Sequence, residues 1–329
     1  MDKTIQQAMN DFLENIALAR SENTAHTYRN ALSAFAVVLE DHNLHPNKTL
    51  VKDINEDAVA WLASGLKPYA PSTERLYLTA AAGFYEYLSA ERLANPNLPR
   101  MRMLIHQRAR KQGQRLPQFP RNNIEIIVEY ANNLAYQNNQ TPADYLRTLR
   151  DRAFLITLAD TGLRVHEACG LHRGDIDWNE GKAVIIGKGD KQAVVRFSNR
   201  SLHALKDYIS ARAALDGGSG RPLASLPLFA RHDRGAGKKV KPMTTTTGRN
   251  IVAQRVREAL GDAADGTITP HSFRHYFVTT VLRASGGNLK LAQELARHQS
   301  ITVTQRYAHL SDDELDQGYS DIFDHSVDK

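Results

Sequence analysis

Thr269-Pro270-His271-Ser272-Phe273-Arg274-His275 reads as a helix start that carries its own chemistry. Proline suits the first turn of a helix, where its missing N–H would have no partner and its fixed φ is already helical. A helix running from His271 to Arg283 puts His271 and Arg274 on one face, three residues apart. An imidazole beside a guanidinium, at the positively polarised end of a helix, suits a phosphate oxygen.

Downstream, Leu289 to His298 reads as another helix, and Ala296-Arg297-His298-Gln299-Ser300 closes it. Tyr307 follows nine residues past His298, within Thr304-Gln305-Arg306-Tyr307-Ala308-His309. Upstream, two β-rich runs, Ala183–Ile186 and Ala193–Phe197, flank Gly187-Lys188-Gly189-Asp190-Lys191, which predicts a hairpin. Before it, Thr161-Gly162-Leu163-Arg164-Val165-His166-Glu167 sets an arginine after a small-residue turn and an acid three positions later.

Each signal is weak alone. Arginine and glutamate at that spacing commonly form a surface ion pair. Lysine and glycine are common in exposed turns, and a lone histidine or tyrosine is usually structural. The hairpin turn lacks the Gly-Lys-Ser/Thr ending of a nucleotide loop, and no glycine-rich strand-to-helix turn occurs elsewhere, so nucleotide binding is not expected. Together, two histidines, two arginines, a hairpin lysine and a late tyrosine in one basic region are hard to assign to packing.

The charge supports that grouping. The chain of 329 residues has a net charge of +6 and 42% hydrophobic residues, ordinary for a soluble globular protein of two domains. Ser311 to Lys329 holds seven acids against one lysine. Without them, the 42 basic and 36 acidic residues become 41 and 29, so residues 1–310 carry +12. A basic body favours a polyanion, because phosphate contacts release condensed counterions. On charge alone, a weakly basic protein without such a partner is an equal reading. Cys169 is the only cysteine, which excludes an internal disulfide and a thiolate zinc cluster. His42 and His45, or His271 and His275, invite reading as ligand pairs, but no carboxylate or cysteine cluster accompanies them, so no metal is expected. Met1–Phe12 lacks the apolar run of a signal peptide and no segment reaches membrane-spanning length, which predicts a cytoplasmic protein.

The first hundred residues read as helices. Thr24 is placed to cap one whose face is Tyr28, Leu32, Phe35 and Leu39. Pro71-Ser72-Thr73 opens another with Leu76, Ala80, Phe84 and Tyr87, and Ala58, Val59, Trp61 and Leu62 suggest a third between them. From Leu93 to Ile124 there is no acid, while Pro96, Pro99, Pro117 and Pro120 interrupt regular structure. Such composition predicts an interdomain linker along a nucleic-acid backbone, with Arg100, Arg102, Arg108, Arg110, Lys111 and Arg115 as phosphate contacts; a solvated basic loop is the plainer alternative. Further helices are expected at Ile124–Ala135, Ala143–Asp160, Leu202–Leu215 and Thr246–Leu260, with a glycine-rich loop at Asp216–Arg221.

The segments Thr161–Glu167, Gly187–Lys191, His271–His275, His298–Ile301 and Thr304–His309 resemble, in order and spacing, the boxes of tyrosine site-specific recombinases, the family of phage integrases and Xer-type resolvases. The likeness spans nearly the whole chain. It implies a mainly α fold with a small β-sheet: a helical, SAM-like core-binding domain at 1–95, a basic linker at 96–120, an α+β catalytic domain at 121–310 and an acidic tail at 311–329. It also implies site-specific cleavage and rejoining of double-stranded DNA through a 3′-phosphotyrosine, by a homo- or hetero-tetramer, without cofactor or metal.

Carried over by position, Tyr307 resembles the nucleophile, and Arg164 and Arg274 the arginines that grip the scissile phosphate. Lys188, preferred to Lys191, resembles the acid that protonates the leaving 5′ oxygen. His271 matches the histidine assisting the tyrosine hydroxyl, His298 the one bonding the phosphate, and Glu167 an orienting acid. A phenol of pKa ~10 needs such company to attack at neutral pH. His166 stands where relatives often carry serine, and Ala296-Arg297-His298 replaces the more usual Leu-Gly-His. Leu310, Leu315, Tyr319, Ile322 and Phe323 give the tail an apolar series at roughly helical spacing, expected to dock on a neighbouring subunit or to pack on its own domain. The alternatives to recombination are DNA relaxation of the type IB topoisomerase kind and a catalytically silent DNA-binding protein of the same fold.

Overall fold

The computed structural model describes residues 3–110, 121–137, 141–186, 192–233, 235–237, 239–264, 266–305 and 307. The chain divides into two compact units, Met1–Arg115 and Leu116–Lys329.

The first unit is helical: α1 (Ile5–Ala19), α2 (Glu22–Asp41), α3 (Asp57–Gly65), α4 (Pro71–Ala90) and α5 (Leu98–Arg108). Helix α1, not foreseen from the sequence, opens on a reciprocal cap: the Gln7 N–H donates to Thr4 Oγ1 (3.2 Å) and the Thr4 N–H to Gln7 Oε1 (2.9 Å). It buries Ile5, Ala8, Met9 and Phe12. Helix α2 starts one turn before the expected Thr24, because Ser21 supplies the cap. Its Leu32, Phe35 and Leu39 meet Leu78, Phe84 and Tyr85 of α4 in one core. Burial of each such side chain contributes about 1.5–3 kcal/mol. The phase expected for α4 was partly wrong: Leu78, Tyr85 and Leu88 point inward with Ala80 and Phe84, while Leu76 is 44% exposed.

The expected proline-broken linker is also corrected over Leu98–Arg108. Pro99 lies in the first turn of α5, where proline is tolerated, and Asn97 caps it by accepting the Arg100 N–H (3.0 Å). Met101 and Leu104 are buried, and α5 packs on α3 and α4.

The second unit comprises α6 (Arg121–Asn133), α7 (Pro142–Thr161), α8 (Val165–Gly170), β1 (Ile176–Asp177), β2 (Lys182–Ile186), β3 (Gln192–Arg196), α9 (Asn199–Ala211), α10 (Ala213–Gly217), α11 (Thr245–Leu260), α12 (Pro270–Ala284), α13 (Leu289–Ala296) and α14 (Ile301–Gln305). The chain is thus mostly helical with one small sheet, as expected. Helix α7 is its centre, capped by Thr141, which accepts the Asp144 N–H (3.1 Å). Its Phe154, Leu155, Ile156 and Leu158 are fully buried, and α6, α9 and α12 pack around it. Asp151 of α7 accepts from Arg255 of α11 (2.8 Å) and from its neighbour Arg150 (2.7 Å), all three buried.

The sheet is antiparallel in the order β1-β2-β3, with Ala183 opposite Val195 and Ile185 opposite Ala193. The hairpin was expected and β1 was not. The helix expected at Leu202–Leu215 is two, and Asp216 is buried at the end of α10, where the Arg173 guanidinium donates to it (2.6 Å). The acidic tail at 311–329 lies outside the described residues.

Candidate active site

The turn between α7 and α8 is the first part of the site. Gly162 ends α7 in the left-handed region at φ 59°, and a β-carbon there would lie 2.5 Å from the Phe277 ring. Glycine is therefore required on both counts. Two residues on, Arg164 caps α8: its N–H donates to Glu167 Oε2 (2.8 Å) and its Nη1 to Glu167 Oε1 (2.9 Å). The Glu167 side chain is buried while Arg164 is half exposed. Burial alone would raise the Glu167 carboxyl, but the Arg164 N–H and the charges of Arg297 and Arg164 outweigh it and hold the group below its usual range.

Helix α12 supplies the second part. Ser272 Oγ accepts the Thr269 N–H (3.1 Å), and Pro270 begins the helix. Arg274 is buried: its Nη1 donates to the Gly162 carbonyl (2.5 Å) and its Nη2 to the Ala296 carbonyl. Burial first, then the charges of Arg164 and Arg297, bring its pKa down to about 10. The two expected phosphate-gripping arginines are thus brought together, one through Glu167 and the other through Gly162.

The third part is the segment after α13. His298 Nδ1 pairs with Oγ1 of the buried Thr304 (2.8 Å), and Gln293 donates to the His298 carbonyl (3.1 Å). Tyr307 lies nearly parallel to the His298 ring, with centroids 6.1 Å apart and 18° between planes. Its hydroxyl is 3.4 Å from His275 Nε2. His271, expected to assist the tyrosine, meets the His275 ring edge-on with centroids 4.4 Å apart.

All three imidazoles are pushed toward the neutral form. Burial, then Arg274 and Arg164, lower His271. Burial, then His271 and Arg274, bring His275 to about 4, and burial, then Arg274, Arg164 and Arg297, bring His298 to about 4. A neutral imidazole accepts a proton, so the arrangement juxtaposes a phenol, an acceptor for its proton and cations fit for a phosphate.

Two members of the site carried no role in the sequence reading. His275 sits one helical turn past His271, inside the quoted stretch, and that spacing was its signal. Arg297 donates to Gly162 and Glu167, and its only signal was an arginine where glycine is usual. Lys188 and its rival Lys191 lie outside the described residues.

Among the described residues expected to touch phosphate, Arg100, Arg102 and Arg110 are paired within the first unit. Arg100 donates to Glu56 (3.0 Å) and Asp57 (2.6 Å), Arg102 to Glu86 (2.7 Å), and Arg110 to Glu74. Their positive charge is therefore compensated by acids of α3 and α4 and of the residue before α3. Arg108 is exposed, and Lys111 and Arg115 lie outside the described residues. A cavity of about 460 Å³ between α4 and α5 is lined by Leu78, Ile105, Arg75, Arg102 and Arg110 among others. Among the described residues no helix is long and apolar enough to cross a membrane.

The phage integrase family model matches residues 122–314, more than half of the chain. Tyrosine recombinase XerC of Treponema denticola is 29% identical over 306 residues, covering 92% of this chain and 93% of that protein. Tyrosine recombinase XerD of Mycobacterium tuberculosis is 29% identical over 317 residues, 93% of each. Tyrosine recombinase XerC of Halalkalibacterium halodurans is 31% identical over 255 residues, 76% of this chain and 75% of that protein. Among solved structures, the XerH recombinase in a post-cleavage complex with a palindromic difH substrate has a TM-score of 0.65 at 18% identity, covering 90% of this chain and 79% of that one. The Tn1549 transposon integrase with circular-intermediate DNA has a TM-score of 0.65 at 17% identity, covering 97% and 99%. At those identities the structures show a shared fold, while the family match and the aligned relatives carry the assignment: the chain belongs to the phage integrase family, the tyrosine site-specific recombinases.

Proposed function

We propose that the chain recombines DNA at specific sites through a 3′-phosphotyrosine formed on Tyr307. The Tyr307 oxygen bonds to the scissile phosphorus as the bond to the 5′ oxygen breaks. The phenolic proton passes to the neutral imidazole of His275, with His271 beside it. Arg164 and Arg274 neutralise charge on the non-bridging oxygens, Glu167 orients Arg164, and His298, held by Thr304, bonds the phosphate. Lys188 protonates the departing 5′ oxygen, a role that rests on the resemblance alone. A partner strand's 5′ hydroxyl then reverses the step, and the bond energy kept in the phosphotyrosine makes a nucleotide unnecessary.

The observation that carries this reading is the 3.4 Å approach of the Tyr307 hydroxyl to His275, within a cluster containing Arg164 and Arg274. The relatives named as recombinases and the structural neighbours solved on DNA support DNA as the substrate. In this proposal the first unit, with the 1–95 region as its core, binds DNA and the catalytic domain spans 121–310. Arg108, Lys111 and Arg115 contact the backbone directly, and Arg100, Arg102 and Arg110 do so only by exchanging their carboxylate partners. The protein works in the cytoplasm as a homo- or hetero-tetramer on paired sites, with the acidic tail at 311–329 docking between subunits. Deleting 316–329 should leave DNA binding and impair tetramer yield.

The test uses nicked duplexes with a randomised core, from which covalent protein–DNA adducts are recovered under denaturing conditions. Wild-type protein should yield adducts, and Tyr307→Phe should bind DNA and yield none. Adducts surviving in Tyr307→Phe would overturn the assignment, and relaxation of plasmids without any recovered site would favour topoisomerase-like action.

A further inference from the structure

We propose that Arg297 is a positioning residue for strand cleavage: it fastens the turn carrying Arg164, together with Glu167, to the segment carrying His298. The proposal rests on the strand-cleavage reading of Tyr307. Arg297 follows α13 at φ 59° and ψ 43°, one of three non-glycine residues with positive φ among those described. A β-carbon is disfavoured in that region by the neighbouring carbonyl, so the conformation persists only where surrounding contacts hold it.

Those contacts converge on the site. The Arg297 side chain is 9% exposed. Its Nη2 donates to the Gly162 carbonyl (3.2 Å) and to Glu167 Oε2 (3.3 Å), and its Nη1 to the carbonyls of Thr161 (3.4 Å) and Leu295 (3.3 Å). Arg274 reaches the same Gly162 carbonyl from α12. Two guanidinium groups from separate elements thus hold one peptide, two residues before Arg164. Glu167 gives its other oxygen to Arg164, so it links the phosphate-gripping arginine to Arg297. His298 is the next residue in the chain, and the clamp therefore fixes the spacing between two phosphate-directed groups. A planar fork suits this task, whereas a lysine ammonium is a single point of contact.

The test measures single-turnover adduct formation on a duplex recovered from the randomised library. Arg297→Gly, which removes the side chain where glycine is conformationally at ease, should slow adduct formation at least tenfold with DNA affinity within twofold of wild type. Arg297→Lys, which retains charge but not the fork, should fall between. Glu167→Gln combined with Arg297→Gly should lose less than the product of the single losses, because the two act through one linkage. Arg297→Gly cleaving within twofold of wild type, or losses that multiply, would overturn the proposal. If Arg297→Gly melts below the assay temperature, Arg297→Lys decides, and a wild-type rate in that variant refutes the clamp. Wild-type protein that forms no Tyr307-dependent adduct refutes the strand-cleavage reading itself, a separate outcome.

Discussion

His275 Nε2 stands 3.4 Å from the Tyr307 hydroxyl, and the His271 ring meets the His275 ring edge-on with centroids 4.4 Å apart. If the proposed cleavage reading holds, the order tyrosine, His275, His271 predicts that His275 accepts the phenolic proton. Replacing it by glutamine should slow adduct formation by roughly 10²–10⁴-fold, the usual contribution of a positioned base, while DNA affinity is kept. His271→Gln should cost less. Equal losses in the two variants, or a larger one at His271, would return the role to His271.

The pH dependence follows from the same pocket. With burial and the His271 and Arg274 charges bringing it to about 4, His275 stays neutral, and able to accept a proton, well below the ~6.5 of a free imidazole. The single-turnover rate should hold from pH 8 to near 5 and fall as His275 becomes protonated below that. An acid limb centred near 6.5 would sink the assignment.

His232 predicts how stability responds to acid. Its Nε2 pairs with Tyr208 Oη (2.8 Å), and burial, then the charges of Arg150 and Arg212, bring it to about 3. The folded protein thus favours the neutral ring more than the unfolded chain does. The resulting stability is complete above ~6.5, the unfolded value, and is lost as pH falls from there toward 3. His275 and His298 act in the same direction. His232→Gln, which does not titrate, should give a melting temperature that declines less between pH 6.5 and 4 than in wild type. Parallel declines would show that His232 is not responsible.

What the sequence disclosed, and what it hid, follows from the range of each signal. His271 and Arg274 were legible because helical spacing fixes their common face locally. Which imidazole meets Tyr307 was not, because the tyrosine arrives from a separate element after α14. The β2–β3 hairpin showed in two apolar runs around a turn, whereas the two-residue β1 is too short to display alternation. Arg100 looked uncompensated because its partners Glu56 and Asp57 lie 44 and 43 residues away. Arg297 was invisible because its role depends on a left-handed backbone and on Gly162, 135 residues earlier.

Asp151 should be a point of structural weakness. Its carboxylate receives buried hydrogen bonds from Arg150 and Arg255, joining α7 to α11. Asp151→Ala leaves both guanidinium groups short of a buried counter-charge, which typically costs about 3–5 kcal/mol. Urea unfolding should show a midpoint shifted down accordingly. A loss below ~1 kcal/mol would mean that Glu258, which also accepts from Arg255, or entering water compensates the pair.

Gly162 couples stability to chemistry more tightly than any of these positions. Gly162→Ala must accommodate a β-carbon at φ 59° and 2.5 Å from Phe277, a strain of about 1–3 kcal/mol before the ring moves. Because the Gly162 carbonyl anchors Arg274 at 2.5 Å and Arg297 at 3.2 Å, displacing it also misplaces the cations of the site. Adduct formation should therefore fall at least tenfold even at temperatures where the variant is fully folded. Adding Phe277→Ala removes the steric contact but not the unfavourable φ, so it should restore part of the rate and little of the stability. A folded Gly162→Ala protein that cleaves at the wild-type rate would show that Arg164 and Arg274 hold their places without this turn.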